Sequence, residues 1–195
     1  MLTAYIAELA EWDNRAHLER IRRYAYLLAV GAGFGHDEAE LLSVACLLHD
    51  IGKITQPVAI LSKTSRLEPE EYKIAERHAQ DGARLLAGSD SAVLQTAEAI
   101  ALTHHERWDG SGYPNGLSGE AIPMTGRIMA VADVFDALTT WRSYKAVIEP
   151  EAALGLIETS SRTLFDPKLV SVFVDRFPDF KAVLHSHDPK LAGPR

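Results

Sequence analysis

Apolar residues recur along this chain at three- and four-residue steps, and that spacing predicts helices. Over residues 13–30, Leu18, Ile21, Tyr24, Leu27 and Leu28 make one stripe with His17 at its edge, and Gly31, Gly33 and Gly35 end the element. Residues 36–48 form the next helix, which delivers His49 and Asp50 at its carboxyl end. Residues 51–66 read as irregular, with Pro57 as a breaker. Pro69 opens a helix that carries His78 to about Leu86, where Gly88 stops it. Asp90 or Ser91 caps a helix reaching His104, and a loop over 106–122 follows. Pro123 starts a long helix through Leu138, carrying Asp133 and Asp136, and Glu149 or Pro150 starts another to Thr159. Asp166-Pro167 has the cap and first-turn pattern of a last helix ending near Phe177.

No segment alternates with period two over a strand length, so the expected fold class is all-α. Residues 1–12 read as a short helix or linker remnant, 13–177 as the one folded domain, and 178–195, with Pro178, Pro189 and Pro194, as a loosely ordered tail.

Composition narrows the classes. With 195 residues, 47% hydrophobic and 24% charged, the chain can bury a core of its own. A net charge of −7 argues against a nucleic-acid polymer as partner, because such binders need a basic surface to displace counterions. The single cysteine, Cys46, lies in an apolar run and allows no internal disulfide, which fits a reducing compartment. The first residues have no basic n-region, and the longest uncharged run, 24–35, is too short to span a bilayer. A cytoplasmic protein with no membrane partner is the expectation.

The chemistry concentrates in two places. The apolar run Val44-Ala45-Cys46-Leu47-Leu48 leads directly into His49-Asp50, and ionisable groups at the end of such a run are costly unless paired or coordinated. Further on stands His104-His105-Glu106-Arg107-Trp108-Asp109-Gly110-Ser111-Gly112-Tyr113-Pro114. Adjacent helical residues diverge by about 100°, so the two imidazoles need separate partners, and a metal centre would serve both. Alone, a His-His pair is more often two core or solvated histidines than a metal site.

Together, His49-Asp50, His104-His105, the Gly112-Tyr113-Pro114 tripeptide and Asp133 resemble, in order and spacing, the HD-GYP family of the HD-domain metal-dependent phosphohydrolases. The resemblance runs from about Asp13 to about Phe173 and implies an HD-domain helical bundle. It implies metal ligands at His17, His49, Asp50, His78, His104, His105 and Asp133, with Asp50 shared between two divalent ions. His17, His49 and Asp133 would surround one ion, and His78, His104 and His105 the other. Mixed imidazole and carboxylate donors suit Fe or Mn, with Zn also compatible, better than Mg or Ca. Lys53, Tyr113, Arg142 and Lys145 match positions that contact substrate, and Asp50 and Lys53 those nearest the reaction. His36, His185 and His187 match nothing and serve as an internal control.

The implied activity is hydrolysis of cyclic di-GMP to linear pGpG, and on to GMP if a second cut follows, by a hydroxide held between the ions. Two alternatives stay open: an HD phosphohydrolase on another cyclic dinucleotide or nucleotide, and a signalling scaffold that binds cyclic di-GMP or a diguanylate cyclase without turnover. A sensor or receiver protein acting in trans and a homodimer are compatible with the same resemblance. The chain departs from the family at Ser143, where proline is usual, and at Thr64-Ser65, which replaces Pro-Gly. Asp13 stands where some members carry a glutamate ligand to a third metal; being one methylene shorter, it favours a site of two ions.

Overall fold

A computed structural model describes residues 14–63, 65–140 and 147–186. The expected helix near the amino terminus, Asp13, Thr64, Arg142, Ser143, Lys145 and His187 lie outside them. Among the described residues there are nine α-helices and no strand: α1 Asn14–Gly31, α2 His36–Ala45, α3 Val58–Leu61, α4 Pro69–Leu86, α5 Ala92–Thr103, α6 Met124–Thr139, α7 Pro150–Thr159, α8 Pro167–Asp175 and α9 Phe177–Ser186. Short 3₁₀ turns occupy Cys46–Leu48, Ile51–Thr55 and Gly119–Ala121.

Local chemistry sets the helix ends. Glu68 precedes Pro69 and its backbone N–H donates to Glu71 at 2.8 Å, so the first turn of α4 is satisfied by its own side chains. Asp166 caps α8 as expected, accepting from the Lys168 N–H at 2.8 Å, with Pro167 at the first helical position. The same carboxylate holds Arg127 of α6 at 2.6 Å, which ties the last third of the chain to its middle.

The core forms where the stripes of α1, α2, α5, α6 and the last three helices meet. Of the stripe read from the sequence, Ile21, Tyr24 and Leu28 are fully buried, joined by Ala25 and Ala29, while Leu18 and Leu27 are half-buried. The Tyr24 ring stacks on Phe180 at 4.7 Å and meets Phe135 edge-on at 5.3 Å, while Phe173 packs on Phe135 at 5.2 Å and on Phe180 at 4.8 Å.

Two expectations need correction. Residues 178–186, expected in a loosely ordered tail, form α9 and bury Phe180 and Val183 beside Phe177. Pro178 does not break this helix because it stands at its second position, where a missing N–H costs nothing. Residues 51–66, expected to be irregular, contain a 3₁₀ turn and α3. The first of these turns packs against α4 so closely that a Cβ on Gly52 would lie 2.0 Å from the His78 carbonyl oxygen and 2.5 Å from the Gly82 nitrogen. That approach carries Asp50 to His78.

Candidate metal centre

Five segments converge on one point. α1 brings His17, the turn after Cys46–Leu48 brings His49 and Asp50, α4 brings His78, the end of α5 brings His104 and His105, and α6 brings Asp133. The tightening from α-helix to 3₁₀ turn at Cys46 and the bridge-region backbone of Asp50 (φ −102°, ψ 11°) turn the two adjacent side chains to a common centre.

The side chains fall into two groups, Asp50 with His78, His104 and His105, and His17 with His49 and Asp133; within each group one donor atom per residue lies within 4.8 Å of the others. Asp50 stands between them. Its Oδ2 is 3.2 Å from His49 Nε2, and its Oδ1 is 3.3 Å from His78 Nε2 and 3.8 Å from His104 Nε2.

Each ring is oriented from behind. His49 Nδ1 lies 2.9 Å from the Cys46 carbonyl, His78 Nδ1 2.6 Å from that of Ala75, and His104 Nδ1 3.0 Å from that of Ala101. A carbonyl only accepts, so each Nδ1 carries the proton and each neutral ring turns an Nε2 lone pair to the centre. His17 differs: its Nδ1 faces the Asp136 carboxylate at 2.7 Å, and Asp136 is held in turn by Arg20, with Nε–Oδ1 of 2.5 Å. Arg20 and Asp136 are both buried. Hydrogen-bonded partners of this kind fix ring orientation and raise ligand basicity at metal centres.

The inward atoms are the ones left over. His49 Nε2, Asp50 Oδ1 and His104 Nε2 are buried and make no hydrogen bond, a costly arrangement for polar atoms unless a cation lies among them. His78 Nε2 and His105 Nε2 face each other at 3.1 Å; with the His78 proton on Nδ1, only a proton on His105 or a shared cation keeps two lone pairs from opposing. The residues present therefore fit divalent metal ions.

Electrostatics agree. Burial lowers the pKa of His78, and burial together with the neighbouring His49 pushes His104 down to about 4. Burial, then His104 and His78, depress His105 as well, so all three are neutral and free to ligate at neutral pH. Burial opposes a charge on His49 too, but the Asp50 carboxylate outweighs it and raises the pKa. Burial would raise Asp50; Lys53 and His49 outweigh it and hold the carboxyl well below its usual range.

Lys53 sits at the rim with Nζ 2.5 Å from Asp50 Oδ2. Tyr113 stacks on His105 at 4.7 Å with an interplanar angle of 27°. The control histidines stay away: His36 is exposed and bonded to the Tyr26 hydroxyl, and His185 is exposed on α9. The sequence reading missed Arg20, Asp136 and Glu106. Arg20 and Asp136 each follow a ligand by three positions, His17 and Asp133, which is the only local signal for them. Glu106 follows the histidine pair directly but accepts from the Asn115 and Leu117 N–H groups.

A helical domain that gathers histidines and aspartates around a shared carboxylate has the make-up of an HD domain, and the HD-domain family profile matches residues 4–169. The chain belongs to the HD-domain family. It is 43% identical over 167 residues to the "Cyclic di-GMP phosphodiesterase response regulator RpfG" of Xanthomonas campestris, covering 86% of this chain and 44% of that protein. It is 42% identical over 169 residues to a "Cyclic di-GMP phosphodiesterase" of Thermotoga maritima (87% and 46%) and 39% over 180 residues to the "3'3'-cGAMP-specific phosphodiesterase 2" of Vibrio cholerae (92% and 34%). The chain thus spans less than half the length of these relatives. Among solved structures, the HDG"Y"P protein Bd1817 of Bdellovibrio bacteriovorus shares the fold with a TM-score of 0.65 at 22% identity, covering 83% of this chain and 51% of that one.

Proposed function

We propose that this chain is the hydrolytic domain of a metal-dependent cyclic di-GMP phosphodiesterase. The observation that carries the reading is the pair of His/Asp groups on either side of Asp50, in which His49 Nε2, Asp50 Oδ1 and His104 Nε2 are buried without a hydrogen bond. Divalent ions bound there would supply Lewis acidity toward a phosphoryl oxygen and a water of lowered pKa as nucleophile. The donor set favours Fe or Mn, and two ions rather than three.

The chain's own residues do the rest. His17, His49 and Asp133 would hold one ion and His78, His104 and His105 the other, with Asp50 between the two groups. Lys53 sets an ammonium at the rim beside Asp50, where an incoming phosphate meets it. Tyr113, stacked on His105, forms a wall for the substrate. Arg142 and Lys145 are assigned to phosphate oxygens from the sequence alone. No side-chain nucleophile is needed. Burial pushes the Cys46 thiol far above its usual range and keeps it inert. The setting is cytoplasmic and the early product is linear pGpG.

A second reading, hydrolysis of 3'3'-cGAMP, is favoured by the 39% identity to the Vibrio cholerae enzyme of that name. Protein reconstituted with Mn²⁺ or Fe²⁺ and incubated with each dinucleotide separates the two by chromatography of the products. We expect cyclic di-GMP to disappear with pGpG as the first product, and Asp50→Ala to lose bound metal and turnover together. Turnover of 3'3'-cGAMP alone would establish the second reading, and an active Asp50→Ala would overturn both.

A further inference from the structure

Glu106 is 3% exposed and directly follows two residues of the metal centre, yet its carboxylate turns away from it. Oε1 accepts from the Asn115 N–H at 2.8 Å and Oε2 from the Leu117 N–H at 3.0 Å. These donors lie just beyond Tyr113, on the stretch that leaves the site. On the other side of Tyr113 the backbone is equally constrained. A Cβ on Gly112 would lie 2.4 Å from the Arg107 nitrogen and 2.6 Å from both Glu106 Cα and the His105 carbonyl oxygen, so the loop rests on the end of α5 with no room between. The Tyr113 N–H then donates to the His105 carbonyl at 3.2 Å.

A carboxylate suits this place because it is an acceptor at both oxygens. An amide of the same shape would present N–H to one of the two backbone donors. Glu106 and Gly112 thus hold both flanks of Tyr113, and the ring is left against His105, whose Nε2 faces that of His78.

We propose that Glu106 is a positioning residue: through the backbone of 115 and 117 it seats Tyr113 over the metal centre and so sets the wall of the substrate site. The substrate role of Tyr113 rests on the phosphodiesterase reading, whereas the brace itself does not.

Two sets of measurements on Glu106→Gln, Tyr113→Ala and the double variant keep these apart. The first needs no substrate: metal content per chain and amide hydrogen exchange. In Glu106→Gln we expect an unchanged metal count, unchanged protection in α5, and exchange faster by about tenfold or more at one of the amides 115 and 117, since a charge-assisted bond lost is of that order. Unchanged exchange at both amides, or loss of metal, would overturn the proposal. The second is a double-mutant cycle in kcat/KM for cyclic di-GMP. Glu106→Gln should lower it by about tenfold or more, and the double variant should fall no further than Tyr113→Ala, because Glu106 acts through that ring. Effects that multiply would show Glu106 acting elsewhere and overturn the proposal. If the unaltered protein turns over neither dinucleotide, the phosphodiesterase reading fails, and the exchange and metal measurements still decide whether Glu106 is the brace.

Discussion

His17, His49, His78 and His104 are left with Nε2 for the candidate centre because Nδ1 is already engaged, and of these His17 is backed by a carboxylate in place of a carbonyl. The pairs His49-Asp50 and His104-His105 were legible in the sequence because adjacent ionisable groups of this kind are stable only when paired or coordinated, whereas His17, His78 and Asp133 were legible only through the family resemblance. Arg20 and Asp136 were not, because nothing local says that α1 lies against α6. Asp136 makes two expectations. Asp136→Asn, which weakens the acceptor behind His17, should lower metal affinity about 10- to 100-fold, read by Mn²⁺ titration against a competing chelator. In metal-free protein the same group contributes to stability with a definite sign. Burial would raise its pKa, but the hydrogen bonds from His17 and Arg20 outweigh it and the folded value is lowered. The unfolded chain, with an ordinary value of about 3.9, then takes up the proton first as pH falls. The contribution is therefore complete above the unfolded value and is lost as pH drops through the folded one. Urea midpoints across this acid range should fall more steeply for the unaltered protein than for Asp136→Asn; equal slopes would show that Asp136 is not held ionised.

At the scale of elements, proline and glycine made most helix starts and stops readable, since Pro69, Pro150 and Pro167 all fall within a first turn and Gly88 follows the end of α4. The same rule was applied in the wrong direction at Pro178, although Phe177, Phe180 and Val183 recur every three residues and all three are buried. The close approach of Gly52 to α4 was invisible, because a contact between backbones leaves no hydrophobic signature. It is also a joint with no room for a side chain. Gly52→Ala must force α4 outward, against rigid backbone, and should cost at least about 1–3 kcal/mol while shifting His78 and weakening metal binding. Gly155 in α7 is the control: a Cβ there meets nothing within 4 Å, so Gly155→Ala should stabilise by about 0.5–1 kcal/mol and leave metal binding unchanged. Denaturant unfolding with metal analysis checks both, and a well-behaved Gly52→Ala with full metal content would show that the turn can move away without consequence.

On the scale of the whole molecule, the His/Asp cluster closes a bundle whose aromatic core begins about two turns beyond His17 on α1, at Tyr24. The all-helical class was legible from period alone; the convergence of distant segments on Asp50 was legible only through the family pattern, since a helix pattern fixes faces and not neighbours. This architecture ties stability to metal. Without ions, the buried Nε2 atoms of His49 and His104 and Oδ1 of Asp50 have no hydrogen-bond partner. Ions that bind the folded chain and not the unfolded one stabilise it by about 4 kcal/mol at a thousandfold excess over Kd. For a chain of this size each kcal/mol is worth about 2–4 °C, so chelation should lower Tm by roughly 10 °C and Mn²⁺ should restore it. Mg²⁺, which prefers an all-oxygen shell, should restore little. Asp50→Ala should melt at the same temperature with and without Mn²⁺, because the carboxylate shared by both groups is gone. Thermal unfolding in chelator, Mn²⁺ and Mg²⁺ reads all of this, and a Tm indifferent to chelation in protein shown to carry metal beforehand would mean that the cluster is already satisfied without ions.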